Sequence, residues 1–203
     1  MKRLYENIED IHIKGDISQL STVVTAMDIA LQNLADNTEK LYTYLVKYSS
    51  SNKGNQFEKV VNTSMALRDE LFVASESLND MQNQVVAYQN KVYRYEDISA
   101  SAPAPNRYLV NRNHNISVDT SQVQFTRNDM INVVSTLKNY RERVFHHSQT
   151  IVEKKNSIAS VWVDSQYKDF SEFIDGVIRN IRDAIKIFDE YVLNLESKIK
   201  ELE

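Results

Sequence analysis

The chain lacks cysteine and is poor in glycine and proline: its 203 residues include no Cys, three Gly and two Pro. Without Cys there is no disulfide framework, no thiol nucleophile and no Cys-based zinc site. A β-sandwich or an α/β enzyme of this size needs many tight turns, so the shortage of turn residues excludes both classes. Few turns in a chain of this length predict a small number of long helices.

The chain also lacks an excess of positive charge and any long apolar run. Its formal net charge of −4 argues against a nucleic-acid partner. No apolar run approaches the ~20 residues of a membrane-spanning helix, so stable membrane insertion is not expected. Near the N-terminus, Glu6, Glu9 and Asp10 interrupt the apolar pattern, which excludes a cleaved secretory signal. We expect a cytoplasmic protein, or one exported without a classical signal peptide.

What the chain does have is apolar residues at alternating spacings of three and four, which keep side chains on one face of a helix. Hydrophobic residues make up 42% of the chain, enough for a packed core. Four such stripes occur, and they begin at Leu20, Phe57, Met130 and Phe170. Turns near 49–54 and 159–164 join them in pairs. A short turn between two striped helices predicts an antiparallel helical hairpin.

The predicted organisation is two hairpins separated by a linker. The segments are an N-terminal tail (1–15), a first hairpin (16–97), a linker (98–119) and a second hairpin (120–203). The linker contains both prolines, Pro103 and Pro105, and has no helical period. The predicted fold is all-α, either a four-helix bundle or an elongated tandem of coiled-coil-like hairpins.

The two hairpins align without a gap when residue numbers are shifted by 110. The shift places Leu20 on Met130 and Leu71 on Ile181. We interpret this agreement as a tandem duplication. Leu31 and Leu45 fall on Arg141 and Lys155, so the third helix has the thinner stripe. Ala66 falls on Gly176, and two small residues there predict a close approach of helix backbones.

Catalytic chemistry is poorly supported. Glu142 and His146 share a helix face at i,i+4 and could ligate a metal. A di-metal site in a bundle needs a second carboxylate–His pair, which the sequence does not provide. It has no Gly-X-Ser-X-Gly elbow and no phosphate-binding glycine loop. We therefore predict no catalytic residue, no metal and no cofactor, and we expect that the protein is not an enzyme.

The second turn carries the most specific signal. Trp162, the sole Trp, lies in a predicted helix–helix turn with Tyr167 close by and Phe170 eight residues on. This turn resembles that of the WXG family of small helical hairpins, which reads Trp-X-Gly with an aromatic residue about eight positions later. The Gly position is Asp164 here, a departure from the family. A Trp that covers the helix ends, followed by an N-cap Asp, is a purely structural alternative.

The resemblance implies a function in assembly. It suggests a substrate, partner or targeting module of a bacterial type VII-like secretion system that acts by pairing helices with a protein partner or with itself. It also implies an export element of the form Tyr-X-X-X-Asp/Glu, a spacing that Tyr93 and Asp97 satisfy. Two alternatives stay open: a pore-forming or membrane-active helical toxin component, and a cytoplasmic coiled-coil scaffold.

Overall fold

The computed structural model describes residues 13–201. Most of the predicted tail, with the charges that argue against a signal peptide, lies outside this range, as does Leu202 at the end of the fourth stripe. Four helices account for most of the described chain: α1 (Gln19–Ser49), α2 (Asn55–Tyr95), α3 (Arg127–Ser157) and α4 (Ser165–Lys200). None of the four combines the length and apolar character that a bilayer crossing requires.

The helices form one bundle in which each packs against two neighbours. α1 contacts α2 and α3, and α4 contacts α2 and α3. At one end of the α2–α4 contact Tyr88 meets Asp164, and at the other end Gln56 meets Tyr191. These pairs make α2 and α4 antiparallel, and each hairpin is antiparallel within itself. α2 and α3 therefore run in the same direction, so their connection spans the length of the bundle.

A single hydrophobic core lies between the hairpins. Leu20, Leu31, Leu71, Val144 and Ile181 are all fully buried in one continuous cluster. The prediction of an all-α fold is confirmed, and the arrangement is the four-helix bundle rather than the elongated tandem. Within residues 13–201 the four apolar stripes pack against one another, apart from the exposed Tyr95 at the end of the second stripe, so no hairpin has to pair with another molecule to cover its stripe.

Burial follows the same shift of 110 residues as the sequence. Every buried residue of α3 falls on a buried residue of α1, and every buried residue of α4 except Gln166 falls on one of α2. The origin of this register in a duplication stays a prediction. The expected close helix approach at Gly176 is wrong, because a Cβ built there meets no atom within 4 Å.

Ion pairs to α4 occupy the polar gaps in the stripe of α3. Lys155 is buried, and its Nζ lies 2.6 Å from Oδ1 of Asp175. Arg141 binds both carboxylate oxygens of Asp189 through Nε at 3.0 and 2.9 Å. Long basic side chains cover apolar surface with their stems while their heads stay paired, so the thinner stripe still closes the core.

The connection between the hairpins is a bound strap, which we define as residues 98–119. It runs in extended conformation along α2, where its backbone bonds to polar side chains. Asn79 Nδ2 donates to the carbonyl of Tyr108 at 2.7 Å, and Ser75 Oγ accepts from the amide of Val110 at 3.3 Å. The Val110 side chain is buried in the core. The strap also bonds to α1, since the backbone N–H of Asn106 donates to Oδ2 of Asp28 at 3.1 Å. It therefore covers the outer groove between α1 and α2.

Candidate functional site

Three of the residues predicted from the turn motif meet at one end of the bundle. Trp162 is fully buried, with ring centroids 5.3 Å from Phe170 and 5.9 Å from Tyr167. The ring of Tyr88, from the first hairpin, also packs on Trp162, with the two ring centroids 4.8 Å apart. We call Tyr88, Trp162, Tyr167 and Phe170 the turn cluster. Its Trp seals the core and offers no surface to a partner.

Asp164 caps α4, as the sequence predicts. Its Oδ1 accepts from the backbone N–H groups of Gln166 at 2.9 Å and Tyr167 at 3.2 Å, which satisfies two of the free amides at the helix start. Its Oδ2 accepts from the hydroxyl of Tyr88 at 2.5 Å. Asp164 therefore has a local role in its own helix and a long-range role between the hairpins.

The first turn has a glycine, Gly54, at the position that corresponds to Asp164. Gly54 is the N-cap of α2 with φ of +101°, a conformation that L side chains rarely adopt. A Cβ on Gly54 would lie 3.1 Å from the backbone oxygen of Gln122. The close approach of residues 122–123 therefore explains why the first turn keeps the Gly, whereas the second turn has an Asp that caps with its side chain.

Short backbone pairings close both ends of the bundle. The N–H of Lys14 donates to the carbonyl of Val161 at 2.7 Å, beside an isolated bridge between Ile13 and Trp162. At the opposite end, Lys53 forms a bridge with Gln124. The segment before each odd-numbered helix thus covers the turn of the other hairpin. The motif residues lie beneath such a pairing and are structural parts of a closed end.

The export-like element spans the end of α2 instead of following it. Tyr93 is buried inside the helix and accepts a hydrogen bond at its hydroxyl from Gln89 at 2.9 Å, while Asp97 is exposed. Asp97 has φ of +52°, and the N–H of Ile98 donates to the carbonyl of Tyr93 at 2.8 Å. This geometry is a Schellman helix end. The two side chains are therefore not presented together.

Nothing within residues 13–201 covers the outer groove between α3 and α4, in contrast to the groove between α1 and α2, which the strap fills. It encloses about 430 Å³, and its walls include Phe145, Ile185 and Leu193. The Phe145 and Leu193 side chains are 40% and 60% exposed. Each directly follows a buried residue, Val144 or Val192, and neither Phe145 nor Leu193 belongs to the apolar stripes predicted from the sequence. Phe145 and Leu193 could have been identified from the sequence as large apolar residues on the otherwise polar face of their helices.

The α3–α4 groove differs from the strap groove in its polar groups. Arg68, Ser75 and Asn79 of α2 bond to backbone atoms of the strap. The shift of 110 residues replaces them with Ile178, Ile185 and Asp189. Asp189 is paired with Arg141, and the two Ile side chains have no hydrogen-bonding atom. The α3–α4 groove therefore cannot satisfy the backbone of an extended peptide in the way that α2 satisfies the strap.

A polar cleft of about 540 Å³ lies on another face, between α1 and α3; we call it the α1–α3 cleft. Lys40, Arg143, His146 and His147 supply its cationic or protonatable groups, and Asp36 and Glu142 supply carboxylates. Asn37 is almost fully buried at its base; its Oδ1 accepts from NH1 of Arg143 at 2.9 Å, and its Nδ2 lies 3.4 Å from Nε2 of His147.

Burial lowers the pKa of His147, and the neighbouring His146 and Arg143 lower it further by repulsion. A neutral His147 can accept a hydrogen bond from Asn37. Glu142 and His146 both line the cleft, but no three His, Asp or Glu side chains within residues 13–201 are placed to hold a metal ion.

No protein-family model matches the chain, and no curated protein matches it. Among solved structures, the chain is similar to an archaeal Dps homologue from Halobacterium salinarum, with 13% sequence identity and a TM-score of 0.37. That match covers 95% of this chain and 93% of the other. A similarity of this size carries no inference about function.

Proposed function

We propose that this protein is a non-enzymatic helical interaction protein that binds a partner as a closed bundle, through the α3–α4 groove. The observation that carries the proposal is the difference between the two outer grooves. One is filled by the strap, whereas no described residue covers its counterpart, in which Phe145 and Leu193 are exposed. Exposed apolar side chains grouped in a groove are typical of protein-binding surfaces.

The proposed occupant is an amphipathic helix of a partner protein. A helix satisfies its own backbone hydrogen bonds, so it needs no equivalent of Ser75 or Asn79 in the groove. Its apolar stripe would face Phe145, Ile185 and Leu193. Arg182 and Lys186 line the same groove, and neither has an ion-pair partner within the described part of the chain. The helix is therefore expected to carry acidic residues along that edge.

The resemblance to the WXG family supplies the biological setting of the proposal. On that basis the protein is a substrate, partner or targeting module of a type VII-like secretion system. Because the four stripes are covered within one chain, the partner is expected to dock on the closed bundle and not to replace a hairpin. Secretion can be tested by comparing the protein's abundance in the medium of cells with and without the membrane ATPase of such a system.

Site-specific photocrosslinking in the native cell tests the groove directly. A crosslinking amino acid at position 145 or 193 should capture one protein, the same from both positions. Position 73 is the matched control, because Val73 is an exposed apolar residue on α2, away from the groove. The captured peptide should be helical and should carry acidic residues beside its apolar stripe.

Capture of the same protein from position 73, or of no protein from 145 and 193, would contradict the proposed surface. Capture of a second copy of this chain would replace the partner helix with self-association. Capture of lipid in place of protein would favour the membrane-active alternative.

A further inference from the structure

We propose that the α1–α3 cleft is a binding site for a small organic oxyanion, a phosphate monoester or a carboxylate, with an aromatic or apolar body. This site is separate from the α3–α4 groove and has no part in the proposed partner docking. The inference rests on three observations: unpaired cations in one cleft, a buried amide that orients one of them, and an adjoining aromatic hollow.

Lys40 and Arg143 make no ion pair within residues 13–201, although Asp36 and Glu142 line the same cleft. His146 and His147 lie beside them, with ring centroids 5.4 Å apart. Because no ion pair neutralises Lys40 or Arg143 in the described residues, both can attract an oxyanion placed between them, and the two imidazoles lie close enough to contribute hydrogen bonds.

Arg143 is held in position from below. Asn37 lies at the base of the cleft with 8% of its surface exposed, and its Oδ1 accepts from NH1 of Arg143 at 2.9 Å. Asn37 is itself fixed by donation from Nδ2 to the carbonyl of Asn33 at 2.7 Å. The remaining N–H groups of the guanidinium are then available for an oxyanion, which arginine can bind through two parallel hydrogen bonds.

The cleft continues into a hollow that suits the body of such a ligand. The hollow encloses about 280 Å³, and Leu41, Tyr44 and Tyr140 form its apolar walls. Lys40 and Arg143 line both spaces, so they mark the point where the two join. Small-molecule sites typically combine an apolar volume of this order with a few convergent polar groups.

Titration calorimetry with three probes tests the site, with amide shift mapping by NMR to locate binding. Phenyl phosphate and benzoate present the oxyanion with a ring, and inorganic phosphate presents the oxyanion alone. We expect saturable binding of at least one ringed anion, with shifts in residues 33–44 and 136–147, and weaker binding of inorganic phosphate. Comparison of phenyl phosphate with benzoate then distinguishes the two kinds of head group.

Variants that should weaken anion binding are compared with one that should strengthen it. Arg143→Gln and Lys40→Gln should each weaken the anion about tenfold or more, since a charge-assisted contact is lost. Glu142→Gln should strengthen binding, because it removes a repelling carboxylate. Lys40 is exposed and makes no hydrogen bond or ion pair within residues 13–201, so its variant separates binding from folding. Arg179→Gln, an exposed α4 cation away from the cleft, is the matched control and should bind as the unmodified protein does.

The absence of saturable binding by either ringed anion up to ~10 mM would overturn the proposal. The same holds if neither Arg143→Gln nor Lys40→Gln differs from Arg179→Gln, or if Glu142→Gln weakens binding.

Discussion

The hydroxyl of Tyr88 in α2 donates a hydrogen bond to Oδ2 of Asp164, the residue that caps α4. The contact joins the last turns of the first hairpin to the turn of the second. Both side chains are buried, and Tyr88 also packs on Trp162. The turn of the second hairpin is thus packed against, and hydrogen-bonded to, the first hairpin, as expected when both belong to one closed bundle.

Tyr88→Phe should lower the free energy of unfolding by about 1–3 kcal/mol, because a buried carboxylate loses one hydrogen-bond donor while the ring stays in place. Chemical denaturation measures the change. Tyr95→Phe is the control, since Tyr95 is 70% exposed and should leave the stability within ~0.5 kcal/mol of the unmodified protein. Equal stabilities for the two variants would show that the inter-hairpin bond contributes nothing.

Replacement of glycine by alanine should change the unfolding free energy in opposite directions at Gly176 and Gly54. Gly176 lies inside α4 with open space around it, so Gly176→Ala should raise the unfolding free energy by ~0.5–1 kcal/mol. Gly54→Ala should lower it by about 1–3 kcal/mol, because of the positive φ and the contact with Gln122. Thermal melts of both variants check the signs. Stabilisation by Gly54→Ala would contradict the described approach of residues 122–123.

Asp97 occupies the left-handed position at the end of α2, where glycine is strongly favoured. Asp97→Gly should therefore stabilise the protein by ~1 kcal/mol. Glu96→Gly, one residue earlier, should not stabilise, because φ is −89° at that position. If Asp97→Gly also leaves abundance in the medium unchanged, Asp97 acts as a helix end and not as part of an export element.

Stability should fall as the pH drops from 7 to 5, in part through His147. Its folded pKa lies below the ordinary value, so the unfolded chain takes up the proton first. The stability present above the unfolded pKa of ~6.5 is lost as the pH falls towards the folded pKa. Denaturation of the unmodified protein and of His147→Gln across this window should show a shallower decline in the variant. Parallel curves would contradict a perturbed His147.

The helices and their pairing into two hairpins could be predicted because the information is periodic and local. Stripes such as Leu20 to Tyr48 specify both the helix and its buried face, and the short turns specify the hairpins. The N-cap role of Asp164 could also be predicted, since capping depends on residues within one turn. These features need no knowledge of distant contacts.

The strap could not be predicted with the same ease. Its backbone is held by Arg68, Ser75 and Asn79, which in the sequence appear as polar positions beside the α2 stripe. An extended segment turns alternate side chains to opposite sides. Over residues 110–118 of the strap, the residues that are buried or half-buried lie at even-numbered positions, namely Val110, His114, Ile116 and Val118, and this spacing was the signal in the sequence. The two outer grooves and the α1–α3 cleft depend on how the two hairpins pack on each other, which the stripes left open.

The closed bundle is tested most directly by native-state hydrogen exchange on Trp162→Ala. The substitution empties a fully buried site and should cost ~3–5 kcal/mol, whereas Val163→Ala in the same turn, with a 39% exposed side chain, should cost little. If the hairpins share one cooperative core, the most protected amides of α1 and α2 should lose as much protection as those of α3 and α4. Loss confined to α3 and α4, with the first hairpin unchanged, would show two independent hairpins and contradict the account.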